Sequence, residues 1–381
     1  MSSTDSGRGA TAEDGYTIRP YEPSDLEGFL RLDSRVWNRT RSPEWFRWKY
    51  ADNPYTDHTP VFVADYDGEI VGARPFLAMP LRIGDRSVMA FQPADTMVDP
   101  DHRRSGVFRR MTAHALSTYR NGEPALFFNF PNQHARPGYL DLGWRVVAPE
   151  VTYYRIETPS TVRSDGGLKQ RTAGALQPML RGYYAARRSL STPPDDRPVQ
   201  QVDGVPIERL AVLHSRRQPP TIHADRTEQF LRWRLASPVW ERRTYLVGEQ
   251  STDDEPVAAL VARSRTTDDG LRLTQVVDVA PLCGGQRWRE ALWSGLSTVI
   301  ESHPAAALFA VSDGAIPHSV LAAFGFLPDD SLPLSRLTTF DSMLVTRPNG
   351  DPDDADAWEI AGRTVDDPDN WCVTFAERDT S

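Results

Sequence analysis

Between Tyr16 and Glu157 the apolar positions change period several times, and each change predicts an element. YTIRPY (Tyr16–Tyr21) alternates as a short strand. Ser24 then stands as a helix N-cap before the helical spacing Leu26, Phe29, Leu30 and Leu32. A second helix start lies at Ser42-Pro43, followed by Trp45, Phe46, Trp48 and Tyr50. VFVADYDGEIVGARPFLAMPLRI (Val61–Ile83) reads as two strands joined at Asp67-Gly68, a strong hairpin signal. After the turn Gly84–Arg86, SVMAFQPADTMV (Ser87–Val98) makes a third strand. A helix over Val107–Tyr119 follows, then a buried strand in PALFFNFP (Pro124–Pro131) and a short helix over Gln133–Leu142. WRVVAPEVTYYRIE (Trp144–Glu157) closes the series as a strand or strand pair.

Residues 158–204 break this rhythm. SDGG and STPPDDRP are loop-like and flank one helix near ALQPMLRGYYAARRSL, which has an apolar and an arginine face; the reading is a packed connector, and the alternative is a docking surface for an acidic partner. Then the order repeats. QFLRWRLASP (Gln229–Pro238) echoes EWFRWKYADNP (Glu44–Pro54), at a spacing of about 185 residues. Three strand-like runs follow (TYLVGE, PVAALVARS, LRLTQVVDVAP), then a helix near QRWREALWSGL, the strand ALFAVS and a helix ending in LAAFGFLP. NWCVTFAERD (Asn370–Asp379) alternates as a last strand. The predicted class is α/β (α+β): mixed, mostly antiparallel sheets flanked by helices. The layout is a disordered tail over 1–15, a first domain over 16–157, a connector over 158–204 and a second domain over 205–381.

Composition narrows the function. Ten Trp and 39% apolar residues among 381 support real cores. No run approaches the roughly 18 apolar residues of a membrane span, and the polar start lacks the apolar stretch of a signal peptide. Net charge is −9, which disfavours nucleic acid and anionic membrane as partners. Only Lys49 and Lys169 are lysines among the 43 basic residues, and 35 of the 52 acids are aspartate, a halophilic-like balance that describes habitat rather than chemistry. Two cysteines, Cys283 and Cys372, and no histidine pair at ligand spacing give neither a disulfide framework nor a metal site. The expected setting is cytoplasmic.

Candidate chemistry centres on DPDHRRSGVF (Asp99–Phe108). A strand ends at Val98 and a helix begins near Val107, so unpaired N–H groups and the positive end of the helix dipole face outward at the junction. Gly106 lets a ligand approach the backbone, and Arg103 and Arg104 add positive charge. A pyrophosphate fits such a junction; a solvated basic turn fits it too. No Lys-Ser/Thr follows for a P-loop, and no Gly-x-Gly-x-x-Gly opens a βαβ unit.

With the strands before it, this loop resembles the coenzyme A loop Arg/Gln-x-x-Gly-x-Gly/Ala of the GNAT (Gcn5-related) N-acetyltransferases, matching at Arg103 and Gly106 and departing at Phe108. NQHARPGYLDLGW places Asn132, Ala135, Tyr139, Gly143 and Trp144 at the spacing of a second family segment. The resemblance covers Tyr16 to about Glu157, with a weaker second copy over about Val205–Leu344. It implies acetyl-CoA as cosubstrate, held by Thr96, Met97, Val98, Arg103, Arg104, Ser105, Gly106, Val107, Phe108 and Asn132. It implies Tyr139 as the phenol that protonates the departing thiolate, and Asp95 as the acidic base. Tyr139 reads alternatively as a half-buried packing residue, and Asp95 as a structural hydrogen-bonder.

The second copy has Gly284 and Gly285 but no Arg-x-x-Gly in register, and Leu321 where Tyr139 would fall. The resemblance thus implies a tandem form with a degenerate second copy. The expected enzyme is an acyltransferase moving acetyl from acetyl-CoA to a primary amine, on a small molecule or peptide, by direct attack in a ternary complex. The alternatives are an acyl-CoA-binding sensor or scaffold without turnover, and an aminoacyl or fatty-acyl transferase built on a tandem fold.

Overall fold

The computed structural model describes residues 15–120, 122–158, 170–191, 194–248, 255–267, 270–332, 334–336 and 342–379. The expected N-terminal tail, the SDGG loop and part of STPPDDRP lie outside these. The chain divides into two units. The first comprises Met1–Ala148, Ala236–Pro238 and Met343–Pro368; the second comprises Pro149–Leu235, Val239–Ser342 and Asp369–Ser381.

The first unit opens with β1 (Tyr16–Pro20) and α1 (Leu26–Trp37). Its entry is not capped by Ser24. A 3-10 turn, Pro23–Asp25, precedes α1, and the Asp25 carboxylate accepts the Glu22 N–H at 2.8 Å while pairing with Arg19 at 2.7 Å. The short α2 (Pro43–Phe46) starts where Ser42-Pro43 predicts, with Ser42 Oγ accepting the Trp45 N–H. β2 (Val61–Tyr66) and β3 (Glu69–Ile83) form the expected hairpin, with Asp67 and Gly68 both at positive φ. β4 (Arg86–Pro93) and β5 (Met97–Val98) follow, then α3 (Val107–Tyr119), β6 (Leu126–Asn129), α4 (Arg136–Leu140) and β7 (Arg145–Pro149).

The strands lie in the order β1, β2, β3, β4, β6, Met343–Pro348, β7, with β5 paired on β3. Pairing is antiparallel between β1 and β2, β2 and β3, and β3 and β4, whereas β4 and β6 run parallel. β3 is buried on both faces from Val71 to Leu81, so it reads as a continuous apolar run rather than an alternation. At Gly72 an added Cβ would stand 3.0 Å from Val107 and 3.1 Å from Met111, so the missing side chain lets α3 lie tightly on β3.

In the second unit the strand order is Leu327–Pro328, Thr152–Ile156, Leu308–Ser312, Arg272–Ala280, Ala258–Thr266, Glu241–Val247, Val199–Asp203. Here too the strand after the long helix, Leu308–Ser312, pairs parallel with Arg272–Ala280. Two helices (Ile207–Arg216, Glu228–Arg234), three antiparallel strands, the long helix Gln286–Ser302, one strand and the short helix His318–Ala323 repeat the order of the first unit. The helix of the connector region, Gln170–Ser189, packs within this unit: Tyr184 donates to Ile156 O at 2.7 Å and Arg187 to Ala322 O at 2.8 Å.

The C-terminal alternation does not become a strand. Asn370–Asp379 forms one isolated bridge, Ile222 to Trp371, and is otherwise held by buried side chains. Arg226 donates to Thr374 Oγ1 at 2.9 Å, Arg234 to Ala376 O at 2.8 Å, and Glu377 accepts the Ala224 N–H at 2.9 Å. Of these, the Arg234 bond satisfies a backbone carbonyl of the segment without a ladder. No helix among the described residues is long and apolar enough to cross a membrane.

Candidate active site

The site is built where one strand breaks. β4 pairs with β3 as far as Pro93, the chain steps aside through Asp95 at φ 41°, and β5 rejoins β3 through Met97–Ala73 and Val98–Gly72. The ladder between β4 and β6 stops at Phe91–Phe127, so β5 has no partner on that edge among the described residues. A cavity of about 270 Å³ occupies the gap, lined among others by Trp37, Thr96, Met97, Val98, Phe108 and Tyr139.

At one end lies the loop into α3. Asp99 Oδ1 accepts the Asp101 N–H at 3.0 Å and shapes the turn Pro100–His102, while Arg35 pairs with Asp99 at 3.0 Å. Arg104 and Gly106 both adopt left-handed φ, 66° and 78°, which turns the chain sharply into the helix. A Cβ on Gly106 would meet nothing nearer than 3.9 Å, so the backbone angle, and not crowding, calls for glycine. No side chain caps α3, leaving its first N–H groups available for an anion. Arg103 and Arg104 are exposed, and Arg103 lines the cavity.

Tyr139 stands on α4 at the other end, 2% exposed. Its hydroxyl accepts a hydrogen bond from Arg74 Nη1 at 2.9 Å, and the same nitrogen donates to Thr96 Oγ1 at 3.0 Å. Phe108, where the coenzyme A loop motif has a small residue, sets its ring edge-on to Tyr139 at 5.6 Å. Gly138 makes room for it: a Cβ there would lie 2.9 Å from the Phe108 ring.

Asp95 is fully engaged. Oδ1 accepts from Arg39 Nη2 at 2.8 Å; Oδ2 accepts from Tyr50 at 2.7 Å and contacts the buried Lys49 ammonium. Burial alone would raise its pKa, but Lys49 and Arg39 outweigh that and hold the carboxyl well below the usual carboxylate range. Arg39 in turn pairs with buried Asp33 at 2.7 Å. Asn132 is exposed, and its Oδ1 accepts the N–H groups of His134 and Ala135 at 3.0 Å, closing the turn before α4.

The structure thus places Thr96, Met97, Val98, Arg103, Phe108 and Tyr139 around one cavity. Arg104, Ser105, Gly106 and Val107 form the loop and helix start beside it. Asp95 and Asn132 have their oxygens bound within the protein. Sequence reasoning passed over Arg74, Gly138, Arg39 and the role of Lys49. The available signal for Arg74 was its position as the one charge within the buried run Val71–Leu81.

A larger cavity, about 880 Å³, lies in the second unit near Arg216, Arg217, Arg287 and the start of helix Gln286–Ser302. Its chemistry is different. Trp288 fills the space over Gly284, where a Cβ would stand 2.3 Å from the indole, and its Nε1 donates to Pro281 O at 3.0 Å. Leu321, which the sequence reading sets against Tyr139, is fully buried and carries no proton donor. Among the described residues no His, Cys, Asp and Glu cluster could hold a metal ion.

Residues 17–147, about a third of the chain and all within the first unit, match the family model described as an acetyltransferase (GNAT) domain. Mycothiol acetyltransferase of Thermomonospora curvata is 31% identical over 153 residues, which are 38% of this chain and 48% of the relative; the match spans about half that relative's length. Across 88% of the chain the fold is similar to a GCN5-related N-acetyltransferase from Anabaena variabilis, with TM-score 0.55, 11% identity and 73% of that structure covered. It is likewise similar to a probable N-acyltransferase from Enterococcus faecalis, with TM-score 0.55, 10% identity and coverages of 88% and 72%.

Proposed function

We propose that the protein is an N-acetyltransferase that moves acetyl from acetyl-CoA to a primary amine of a small molecule or peptide. The observation that carries this reading is one cavity with an uncapped, left-handed loop at its mouth and the Tyr139 phenol within it. The loop Arg103–Gly106 and the first N–H groups of α3 would hold the pyrophosphate. The unpartnered edge of β5 at Thr96–Val98 would hydrogen-bond the pantetheine arm, and Phe108 would pack against it. The relatives' names, acetyltransferase and N-acyltransferase, agree in class with this chemistry.

In this reading the amine nitrogen attacks the thioester carbonyl, the C–N bond forms, the C–S bond breaks, and Tyr139 gives its proton to the departing sulfur. A thiolate with pKa near 8.5 gains from such a donor. Asp95 enters by position as the acidic residue beside the cavity. With both oxygens held and its proton affinity depressed, it suits fixing Lys49 and Tyr50 better than taking a proton, so the amine proton leaves through water. The second unit is proposed as a copy that keeps the fold and has lost transfer, since Trp288 and Leu321 stand where its loop space and phenol would be.

Isothermal titration tests the site. Acetyl-CoA should bind the parent protein, and Gly106→Glu should weaken binding at least about tenfold, because a side chain at left-handed φ and a carboxylate both oppose a phosphate there. Binding unaltered by that change would remove the loop from the site. A panel of amines read by free-CoA release then separates an enzyme from an acyl-CoA sensor, which would bind without release.

A further inference from the structure

Arg74 is an anomaly in the first unit. It stands at the centre of β3, fully buried, and among the described residues no carboxylate pairs with it. Its Nη1 donates to Thr96 Oγ1 at 3.0 Å and to Tyr139 Oη at 2.9 Å, while its Nε and Nη2 are buried without hydrogen-bond partners. Instead the guanidinium lies against aromatic rings, 4.9 Å from the centre of Tyr139, 5.1 Å from Phe108 and 5.5 Å from Phe76. Such contacts and one shared donor offset only part of the cost of burying a charge. Burial pushes its pKa down, with Tyr139 pulling the other way, yet an arginine remains protonated.

We propose that Arg74 is a positioning residue for acyl transfer: it aims the Tyr139 proton into the cavity and becomes the counter-ion of the phenolate left when that proton is given up. This rests on Tyr139 being the acid of the proposed function. A guanidinium donates and never accepts. Tyr139 Oη must therefore accept from Arg74, and its own hydrogen points elsewhere. No other partner for this hydroxyl exists among the described residues, and Tyr139 lines the cavity, so the proton is free for the leaving group.

Charge balance gives the second half of the argument. Before transfer the buried guanidinium has no anion. As the C–S bond breaks, the Tyr139 O–H bond breaks and an S–H bond forms, and a phenolate appears 2.9 Å from Arg74 Nη1. The site therefore gains an ion pair only as the reaction proceeds, which favours the transition state over the bound substrate. Thr96, just before β5 at the cavity edge, accepts from the same Nη1 and keeps the donor aligned.

Two measurements test this. Ultraviolet titration, taken as the parent minus Tyr139→Phe difference, isolates ionisation of this phenol and needs no acceptor. Repeated in an Arg74→Met background, its midpoint should move to higher pH by about one unit or more; an unmoved midpoint overturns the proposal. In turnover, Arg74→Met should lower kcat by about ten- to hundredfold with little change in KM for acetyl-CoA. Adding it to Tyr139→Phe should cost little more, because the two act as a unit. Equal costs in both backgrounds overturn the role of Arg74 alone; a Tyr139→Phe protein as active as the parent overturns the acid reading itself. Arg74→Lys, which keeps a buried charge, guards against a folding defect and should recover part of both effects.

Discussion

Phe108 shows how far a single residue can be understood from its neighbours in sequence. The loop before it is legible there: Arg103 and Gly106 at a strand–helix junction specify a sharp, basic turn, and Arg104 and Gly106 take left-handed angles in it. The benzyl group at Phe108 looks like a fault in the motif. Its explanation lies on α4, where Gly138 leaves the space that the ring enters. No local pattern announces that pair, because α3 and α4 meet only in three dimensions. Gly138→Ala would put a methyl 2.9 Å from the Phe108 ring, and forcing a ring aside in a packed region costs about 1–3 kcal/mol. The ring would swing toward the cavity, so acetyl-CoA affinity measured by titration should fall about tenfold. The double change Phe108→Ala with Gly138→Ala should bind more tightly than Gly138→Ala alone. If the two losses simply add, the packing argument is wrong.

Elements were legible wherever the apolar period was long and a turn residue marked the end, as in β2, β3, α3 and helix Gln286–Ser302. What the pattern did not give was partnership. Thr152–Ile156 follows β7 by two residues and alternates as its continuation would, yet it pairs with Leu308–Ser312 and Leu327–Pro328 in the second unit. Its entry is marked by Glu150, which contacts Arg378 and stays buried beside it. Burial pushes the Glu150 carboxyl up to about 7, Arg378 opposes that, and Asp329 adds to it. The native state thus holds a proton that the unfolded chain releases near pH 4.3. The associated stability is fully present below that value and is lost as pH rises through about 7. Glu150→Gln carries no such proton, so its melting temperature relative to the parent should climb between pH 4.5 and pH 8 and then level. A difference independent of pH would show that Glu150 ionises normally. The C-terminal alternation misled for a related reason: Arg234 supplies at Ala376 O a hydrogen bond that a neighbouring strand would have supplied.

At the scale of the molecule, the repeated order of elements was visible in the sequence, but the route of the chain between the two sheets was not. The pattern places the first domain over 16–157. In the structure the sheet of the first unit runs β6, Met343–Pro348, β7, so β7 reaches its sheet only through a strand some two hundred positions later. Met343–Pro348 pairs with β6 from Val345–Asn129 to Pro348–Leu126, and Asn349 Nδ2 donates to Tyr119 O at 2.7 Å, tying the end of α3. Removing that strand would bare the edge of β6, expose Phe127 and Trp144 of the aromatic core, and strand β7. A chain of residues 1–157 should accordingly fail to show a cooperative thermal transition. Glu150 N–H donates to Ser342 O at 3.0 Å, so the chain just after Ala148 and the chain just before Met343 run side by side. A short Asn-Gly turn joining Ala148 to Met343 and ending at Pro368 would therefore rebuild the first sheet. That chain should unfold cooperatively and bind acetyl-CoA, while residues 1–157 should do neither. Cooperative unfolding of both would mean that Met343–Pro348 covers an edge without being needed to complete it.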